Sequence, residues 1–323
     1  MYNSHTMRAI VGNEKANKYI LDSLSSGNIS HAYLFCGPGN VGKTTLAIEF
    51  ARNLLCSDGC NDDCTCSNCT LVRLGQHPDL QLVETVEKGG VAELREISKV
   101  LELSPYQAKY RVAIIPHVEN LSNSALNAFL KTLEEPNPNT VIILTTENRR
   151  SILETIISRT RLVTFTHVTD RVLADYLSNN LGKKKDVVPQ IVAVSSGRIG
   201  LAKRLAEEDG STLEFTNMAT EFFRVFRTNN LYEKVSFATK LNALKTGQKE
   251  FLMMEQMYLR RELLVSLRDN TPGRHEVSPR AGKKEVVKII ISALDKLAKA
   301  EELAGKNVNS RLIFESLLFR SIS

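Results

Sequence analysis

The sequence predicts an α/β P-loop domain with a parallel sheet, followed by a small helical domain and an all-α domain. Two observations support this fold class: short apolar runs alternate with helical stretches up to about residue 166, and strand signals fade after that point. Alternating strands and helices are typical of a parallel sheet that helices cover on both faces. We therefore expect domains at residues 1–166, 167–208 and 209–323.

Five apolar runs have the length of β-strands, and a helical stretch separates each from the next. They are Ala32–Cys36, Leu80–Val83, Val112–Ile115, Val141–Thr145 and Leu162–Phe165. The turn sequence at 136–139 ends one helix and leads the chain into the fourth strand. Residues 168–206 have the pattern of short helices, and from about residue 210 the chain is helical to its end. A polar, turn-rich segment at 270–282 predicts an exposed loop between two long helices.

The composition is that of an ordinary globular protein, with 42% hydrophobic and 24% charged residues. No apolar run approaches the ~18 residues that cross a bilayer, and Met1–Met7 has no apolar signal core. We therefore expect a cytoplasmic protein without membrane contact. The net charge of +6 is compatible with a nucleic-acid partner but does not by itself indicate one.

A phosphate-binding pattern, G-x-x-x-x-G-K-[ST], is matched at every fixed position by residues 37–44. It follows the first strand and opens a predicted helix over Thr45–Leu55, which is the context of a P-loop. Lys43 would reach the β and γ phosphates of ATP or ADP, and the Thr44 hydroxyl would bind Mg²⁺. The predicted nucleotide-binding residues of this segment are Gly37, Gly39, Gly42, Lys43, Thr44 and Thr45.

The third strand ends without the carboxylates that ATP hydrolysis requires. An Asp for Mg²⁺ and a Glu for the attacking water should follow Val112–Ile115, but Pro116 and His117 stand there. Proline offers no side-chain ligand, and a neutral imidazole cannot replace the charge of a carboxylate. We favour a strand end that has lost this chemistry. Two alternatives stay open: an active ATPase in which His117 or Glu119 replaces the acids, or a nucleotide-binding switch that acts alone.

The cysteines indicate a metal site. All six lie in the first quarter of the chain, and the last five fall within fourteen residues. Because cytosolic thiols are kept reduced, this clustering favours metal over disulfides. The predicted ligands of a structural, tetrahedral Zn²⁺ are Cys56, Cys64, Cys66 and Cys69. The irregular spacing leaves Cys60 as an alternative to Cys64, whereas Cys36 should be a core residue of the first strand.

Together these motifs resemble the clamp-loader branch of the AAA+ ATPases over nearly the whole chain. The most specific stretch is Ser124–Pro136, which is similar to the family pattern N-x-L-L-K-x-L-E-E-P, and His77–Leu80 and Asn307–Leu318 also match. The resemblance implies a role in DNA replication as part of a DNA polymerase holoenzyme. It also implies that the three predicted domains are an AAA+ domain with a zinc insert at 56–69, a helical lid and a helical collar.

The resemblance also assigns roles to residues outside the P-loop. Thr146 matches a sensor of the γ-phosphate at the end of its strand. Ser158 and Arg159 match the first two positions of the family's Ser-Arg-Cys motif, with Thr160 at the third. Its arginine acts in trans, as an arginine finger in the ATP site of the adjacent subunit. By its position alone, Arg159 would be an ordinary solvated charge at a helix end.

Two departures from the family fall on this chain's own ATP chemistry. Pro116 and His117 replace the acidic pair, and Gly200 stands where a second sensor arginine is expected. The resemblance therefore implies a largely non-hydrolysing subunit of a sliding-clamp loader. Its partners would be motor subunits and a clamp-opening subunit in a hetero-pentameric ring, primed DNA through the assembled complex, and the sliding clamp indirectly or weakly. An ATP-hydrolysing motor of the same loader is the alternative.

Overall fold

Five parallel strands form one sheet in the N-terminal half of the chain. The computed structural model describes residues 10–61, 63–83, 91–184, 187–207, 211–243, 248–268, 283–304 and 309–319. The strands are β1 Ala32–Cys36, β2 Leu80–Leu82, β3 Arg111–Ile115, β4 Thr140–Thr146 and β5 Arg161–Thr164. Their order is β2-β3-β4-β1-β5, and every pairing is parallel. The predicted fold class is confirmed, and each predicted strand agrees with the structure to within one residue at either end.

Helices cover both faces of this sheet. They are α1 Glu14–Ser26, α2 Lys43–Leu55, α3 Ser67–Arg73, α4 Val91–Leu101, α5 Asn123–Glu134 and the short α6 Glu154–Ile157. Along β1, Tyr33 and Phe35 pack with α1 and α2, whereas Ala32 and Leu34 pack with α4 and α5. Successive strand side chains point to opposite faces, and all four are fully buried. A strand buried on both faces is continuously apolar, which explains why these runs were visible in the sequence.

The register of the sheet brings three loops to one edge. Cys36 at the end of β1 lies opposite Thr146 at the end of β4, and Ile115 at the end of β3 lies opposite Leu144. The segments that follow β1, β3 and β4 therefore meet at the carboxy-terminal edge of the sheet. In open parallel sheets this edge is the usual place for a ligand.

The C-terminal half of the described chain is helical. Its helices are α7 Asp170–Asn179, α8 Val188–Ser195, α9 Ile199–Glu207, α10 Ser211–Arg227, α11 Leu231–Asn242, α12 Gln248–Arg268, α13 Lys283–Ala304 and α14 Ser310–Phe319. The chain divides into two compact units, one of residues 1–168 with 198–200 and one of residues 169–197 with 201–323.

The division of the second unit into lid and collar remains a prediction. The loop expected at 270–282 lies outside the described residues. In the described ranges we find no helix with the length and apolarity that crossing a bilayer requires.

Candidate nucleotide-binding and metal sites

The P-loop connects β1 to α2 at the carboxy-terminal edge of the sheet. Gly42 precedes α2 with φ 97°, a left-handed conformation that disfavours any side chain. At Gly37, whose N–H donates to the Thr146 carbonyl oxygen at 3.1 Å, an added Cβ would collide with the backbone of Phe165. These glycines therefore permit the close backbone approach that a phosphate-binding loop needs.

Lys43 is buried and folded back onto the loop. Its Nζ donates to the carbonyl oxygens of Gly37 and Pro38, each at 2.7 Å. Burial lowers the pKa of Lys43, an effect that the Glu147 and Glu119 carboxylates oppose. An ammonium has three donors, so one remains for a phosphate oxygen while the two carbonyl contacts persist. On the first turn of α2, Thr44 is half-buried and Thr45 is exposed.

The segment after β3 holds a contact between a histidine and a carboxylate in place of the acidic pair. Pro116 is buried, and the exposed His117 adopts φ 53°, with its Nδ1 3.5 Å from Glu119 Oε1. The Glu119 carboxylate raises the pKa of His117. Burial raises the pKa of Glu119, but hydrogen bonds from His117 and from backbone N–H groups outweigh it and bring this pKa to about 2. Glu119 is therefore ionised, as a catalytic carboxylate would have to be.

Glu147 is a residue of this edge that sequence reasoning missed. Its backbone N–H donates to Glu119 Oε1 at 3.1 Å, and its own Oε1 lies 2.5 Å from where a Cβ on Gly39 would be. Its carboxylate thus lies against the P-loop. An acidic residue directly after the end of β4 was the signal that could have identified it.

The two sensor positions differ from each other in the structure. The Thr146 hydroxyl donates to the Asn148 carbonyl at 3.2 Å and accepts from its N–H at 3.1 Å, so it is engaged in its own turn. The Gly200 N–H donates to the Asn40 carbonyl of the P-loop at 2.8 Å, and an added Cβ would lie 3.1 Å from that oxygen. The charge of Arg198 also lowers the pKa of Lys43.

Arg159 lies at the opposite edge of the sheet. It follows α6 and precedes β5, whose first residue Arg161 pairs with Tyr33, whereas the P-loop follows Cys36 at the other end of β1. Four strand residues, about 13 Å, separate the two edges. The guanidinium of Arg159 consequently cannot reach this chain's own P-loop.

Three contacts within the chain hold the Arg159 guanidinium. Its Nη2 is 2.6 Å from Glu134 Oε1, and its Nη1 donates to the Thr155 carbonyl at 2.8 Å and to Ser158 Oγ at 3.3 Å. The Arg159 and Glu134 side chains are 35% and 46% exposed, so the pair lies on the surface and a neighbouring molecule can approach it. The contact with Glu134 was not foreseen, because the sequence does not show which opposite charges meet.

The four cysteines predicted as zinc ligands lie together in the segment from the end of α2 to the first turn of α3. The Sγ atoms of Cys56, Cys64, Cys66 and Cys69 all lie within 4.8 Å of one another. The Cys56–Cys64 and Cys56–Cys66 sulfur distances are 3.7 and 3.8 Å. A tetrahedral Zn²⁺ with bonds of about 2.3 Å requires sulfur atoms about 3.8 Å apart. The donor set and its spacing therefore fit structural zinc. Cys60 is outside this group of four, although its Sγ is 3.7 Å from that of Cys69.

The thiols of this cluster differ in acidity. Burial raises the pKa of Cys56 and of Cys69 to about 12. Burial also raises the pKa of Cys66, but the N–H groups of Cys69 and Ser57 outweigh it and bring it to about 6. A metal ion would therefore find one thiolate ready and would have to displace protons from buried thiols.

Comparison with known proteins shows that this chain is similar to subunits of DNA polymerase III. Residues 12–169 match the family model described as DNA polymerase III, delta subunit. The DNA polymerase III subunit delta′ of Bacillus subtilis is 32% identical over 200 residues, which cover 59% of this chain and 58% of that protein. The subunit tau of the same organism is 36% identical over 169 residues, which cover 51% of this chain and 30% of that protein. The matches thus span little more than half of the first relative and less than a third of the second.

A solved structure supports the fold over a longer range. The DNA polymerase III gamma subunit-related protein of Thermotoga maritima superimposes with a TM-score of 0.50 at 16% identity. The superposition covers 95% of this chain and 97% of that one. At this identity the likeness shows the fold alone.

Proposed function

We propose that this chain is a delta-prime-type subunit of the DNA polymerase III clamp-loader family, a proposal supported by the family match at residues 12–169 and by the similarity to subunits delta′ and tau. In this proposal it is a largely non-hydrolysing AAA+ stator of the loader. It contributes Arg159 in trans to the ATP site of a neighbouring gamma/tau motor subunit during ATP-dependent loading of the sliding clamp.

One observation carries this proposal: the chain keeps its exposed arginine at one edge of the sheet and lacks the acidic pair at the other. Arg159 is about 13 Å of strand from its own P-loop, so any phosphate it binds belongs to another subunit. At the P-loop edge, Pro116 and His117 offer no carboxylate for Mg²⁺. A subunit that assists hydrolysis in its neighbour and lacks the catalytic acids itself acts as a stator.

The partners follow from the same role. They are the delta and gamma/tau subunits in a hetero-pentameric ring, with primed DNA met through the assembled complex and the sliding clamp met indirectly or weakly. The location would be cytoplasmic. ATP or ADP, with or without Mg²⁺, would stay bound at Gly37–Thr45 as a structural ligand, and Zn²⁺ would bind the cysteine cluster.

A second candidate is an ATP-hydrolysing gamma/tau-like motor. It is favoured by Glu119, which is ionised, and whose Oε2 accepts no hydrogen bond from any described residue. The similarity to subunit tau is also as high as that to delta′. ATP turnover by the purified chain separates the two candidates, with Lys43→Ala as the control. Turnover above that of the control establishes the motor, and turnover equal to it supports the stator.

The arginine finger is tested in the loader reconstituted with its own gamma/tau and delta subunits. Arg159→Ala should leave assembly intact and lower DNA-stimulated ATP hydrolysis by about 10³-fold at the site that it serves. Arg161→Ala removes the same charge at the same edge of the sheet and is the matched control. Hydrolysis that is unchanged in Arg159→Ala contradicts the stator proposal.

A further inference from the structure

Arg52 is a charged side chain in the interior of the first unit. It lies on α2, and only 1% of the residue is exposed. Cys56, the residue that caps α2, follows it by four positions, which is about one helical turn. A charged residue is almost never buried this completely unless it is paired. Its partners therefore explain its position.

The guanidinium is divided between an acid and the cysteine cluster. Its Nε and Nη2 are 2.9 and 2.8 Å from Glu49 Oε2. Its Nη1 donates to Cys60 Sγ at 2.8 Å and to the Asn61 carbonyl at 3.0 Å, and it lies 3.8 Å from Cys69 Sγ. One side of the planar group is thus fixed by a carboxylate, and the other side faces sulfur.

This arrangement suits a zinc tetrathiolate. Four thiolates around Zn²⁺ carry a net charge of −2, and part of that charge would be buried at Cys69, which is fully enclosed. An arginine stays protonated at any physiological pH and is more weakly hydrated than a lysine, so it is suited to a buried counter-charge. Groups that do not bind the metal but donate hydrogen bonds to its ligands also fix the orientation of those ligands.

Cys60 has a different position from the four predicted ligands. It is 1% exposed, it accepts a hydrogen bond from Arg52, and its Sγ touches that of Cys69 but lies outside the group of four. A thiol so placed is next to the metal site without being one of its ligands. Its sulfur and the Asn61 carbonyl orient the arginine.

We propose that Arg52 and Cys60 form the outer sphere of the zinc site. Arg52 offsets the negative charge of the tetrathiolate and orients Cys69, and Cys60 holds Arg52 without binding the metal. This inference rests on the zinc part of the proposed function. It excludes the alternative ligand set in which Cys60 replaces Cys64.

Metal binding by the full chain tests the two roles separately. Zinc affinity is measured by transfer to a chromogenic chelator, and the number of thiolate ligands is measured from the sulfur-to-cobalt charge-transfer absorption of the Co²⁺-substituted protein. Cys60→Ser should keep one metal ion and the full four-thiolate absorption, whereas Cys64→Ser should lose the contribution of one thiolate. Loss of a thiolate in Cys60→Ser overturns the assignment of Cys60.

Arg52→Met should weaken zinc binding by about 10–100-fold while the Co²⁺ absorption still shows four thiolates. Arg73→Met removes an exposed arginine from the neighbouring helix α3 and should leave the affinity unchanged. Arg52→Lys keeps the charge without the planar fork and should weaken binding less, so it serves if Arg52→Met does not fold. Wild-type affinity in both Arg52 variants overturns the outer-sphere role. Failure of the wild-type chain to take up zinc or cobalt contradicts instead the zinc part of the proposed function.

Discussion

Replacing Asp79 by asparagine should destabilise the first unit more than any exposed change of the same size. Asp79 is 0% exposed and its carboxylate accepts from the N–H groups of Tyr106, Gln107 and Ala108 at 2.6, 2.9 and 3.0 Å. It also pairs with Arg111 at 3.1 Å, whose side chain is 7% exposed. One carboxylate therefore anchors both the start of β3 and residues 106–108, which precede that strand.

The magnitude follows from the contacts that the amide cannot make. The asparagine side chain would present an NH₂ group to at least one backbone donor and would leave the buried guanidinium of Arg111 without a counter-charge. Breaking a buried ion pair by removal of one partner costs about 3–5 kcal/mol. The melting temperature of a unit of this size changes by roughly 2–4 °C per kcal/mol, so we expect Asp79→Asn to lower it by about 6–20 °C.

The assay is chemical and thermal unfolding of the purified chain, followed by circular dichroism. Asp22→Asn, on the exposed face of α1, is the matched control and should change the free energy of unfolding by less than about 0.5 kcal/mol. A double-mutant cycle with Arg111→Gln should give a coupling energy of about 1 kcal/mol or more between the two side chains. A loss below about 1 kcal/mol in Asp79→Asn would refute this account of the anchor.

The pH dependence supplies a second readout of the same residue. Burial raises the pKa of Asp79, but the three N–H donors and Arg111 outweigh it, so the net shift is downward. A carboxyl group whose pKa is lower in the folded state contributes stability above its unfolded pKa of about 3.9 and loses it as the pH falls through the folded value. The wild-type advantage over Asp79→Asn should therefore be constant near neutrality and shrink below about pH 4.

Three further predictions concern other parts of the chain. Glu134→Gln removes the carboxylate that pairs with Arg159. Because a surface ion pair contributes about 0–1 kcal/mol, ATP hydrolysis by the reconstituted loader should fall by at most about 5-fold. Glu135→Gln is the control and should leave hydrolysis unchanged. Glu255 is fully buried, neither of its carboxyl oxygens has a partner among the described residues, and burial raises its pKa well above the usual value. Its ionisation therefore opposes folding as the pH rises above the unfolded pKa, so Glu255→Gln should raise the free energy of unfolding at pH 7 by about 1 kcal/mol or more, as measured by denaturant titration. A strong zinc chelator should lower the melting temperature and increase protease cleavage within residues 56–69 first, and identical cleavage with and without chelator would argue against structural zinc.

The sequence was most informative where one chemical requirement fixes a local pattern. The strands were identifiable because the sheet is buried on both faces, so that Val112–Ile115 and Val141–Leu144 are apolar at every position. The P-loop was identifiable because phosphate binding demands glycine at fixed spacing. The crowding of the cysteines pointed to metal, and the four named in advance are the ones that the fold brings within 4.8 Å.

The interactions that the sequence did not reveal join residues far apart in the chain. Asp79 and Arg111 are separated by 32 positions, and Glu134 at the end of α5 meets Arg159 after α6. Each of these side chains has many possible partners of opposite charge in the sequence, and the fold decides which of them comes within reach. The carboxylate of Glu147 against the P-loop was missed for the same reason.

Helix α2 joins both sites at its two ends, because Lys43 is its first residue and Cys56 directly follows its last. Its thirteen residues span about 20 Å of rigid rod. Inserting a single residue into this helix would rotate one end about 100° relative to the other, so the lysine and the thiol could not both keep their places. Changes in chain length within α2 should therefore not be tolerated. The length of α2 therefore sets the distance between the candidate nucleotide site and the candidate metal site.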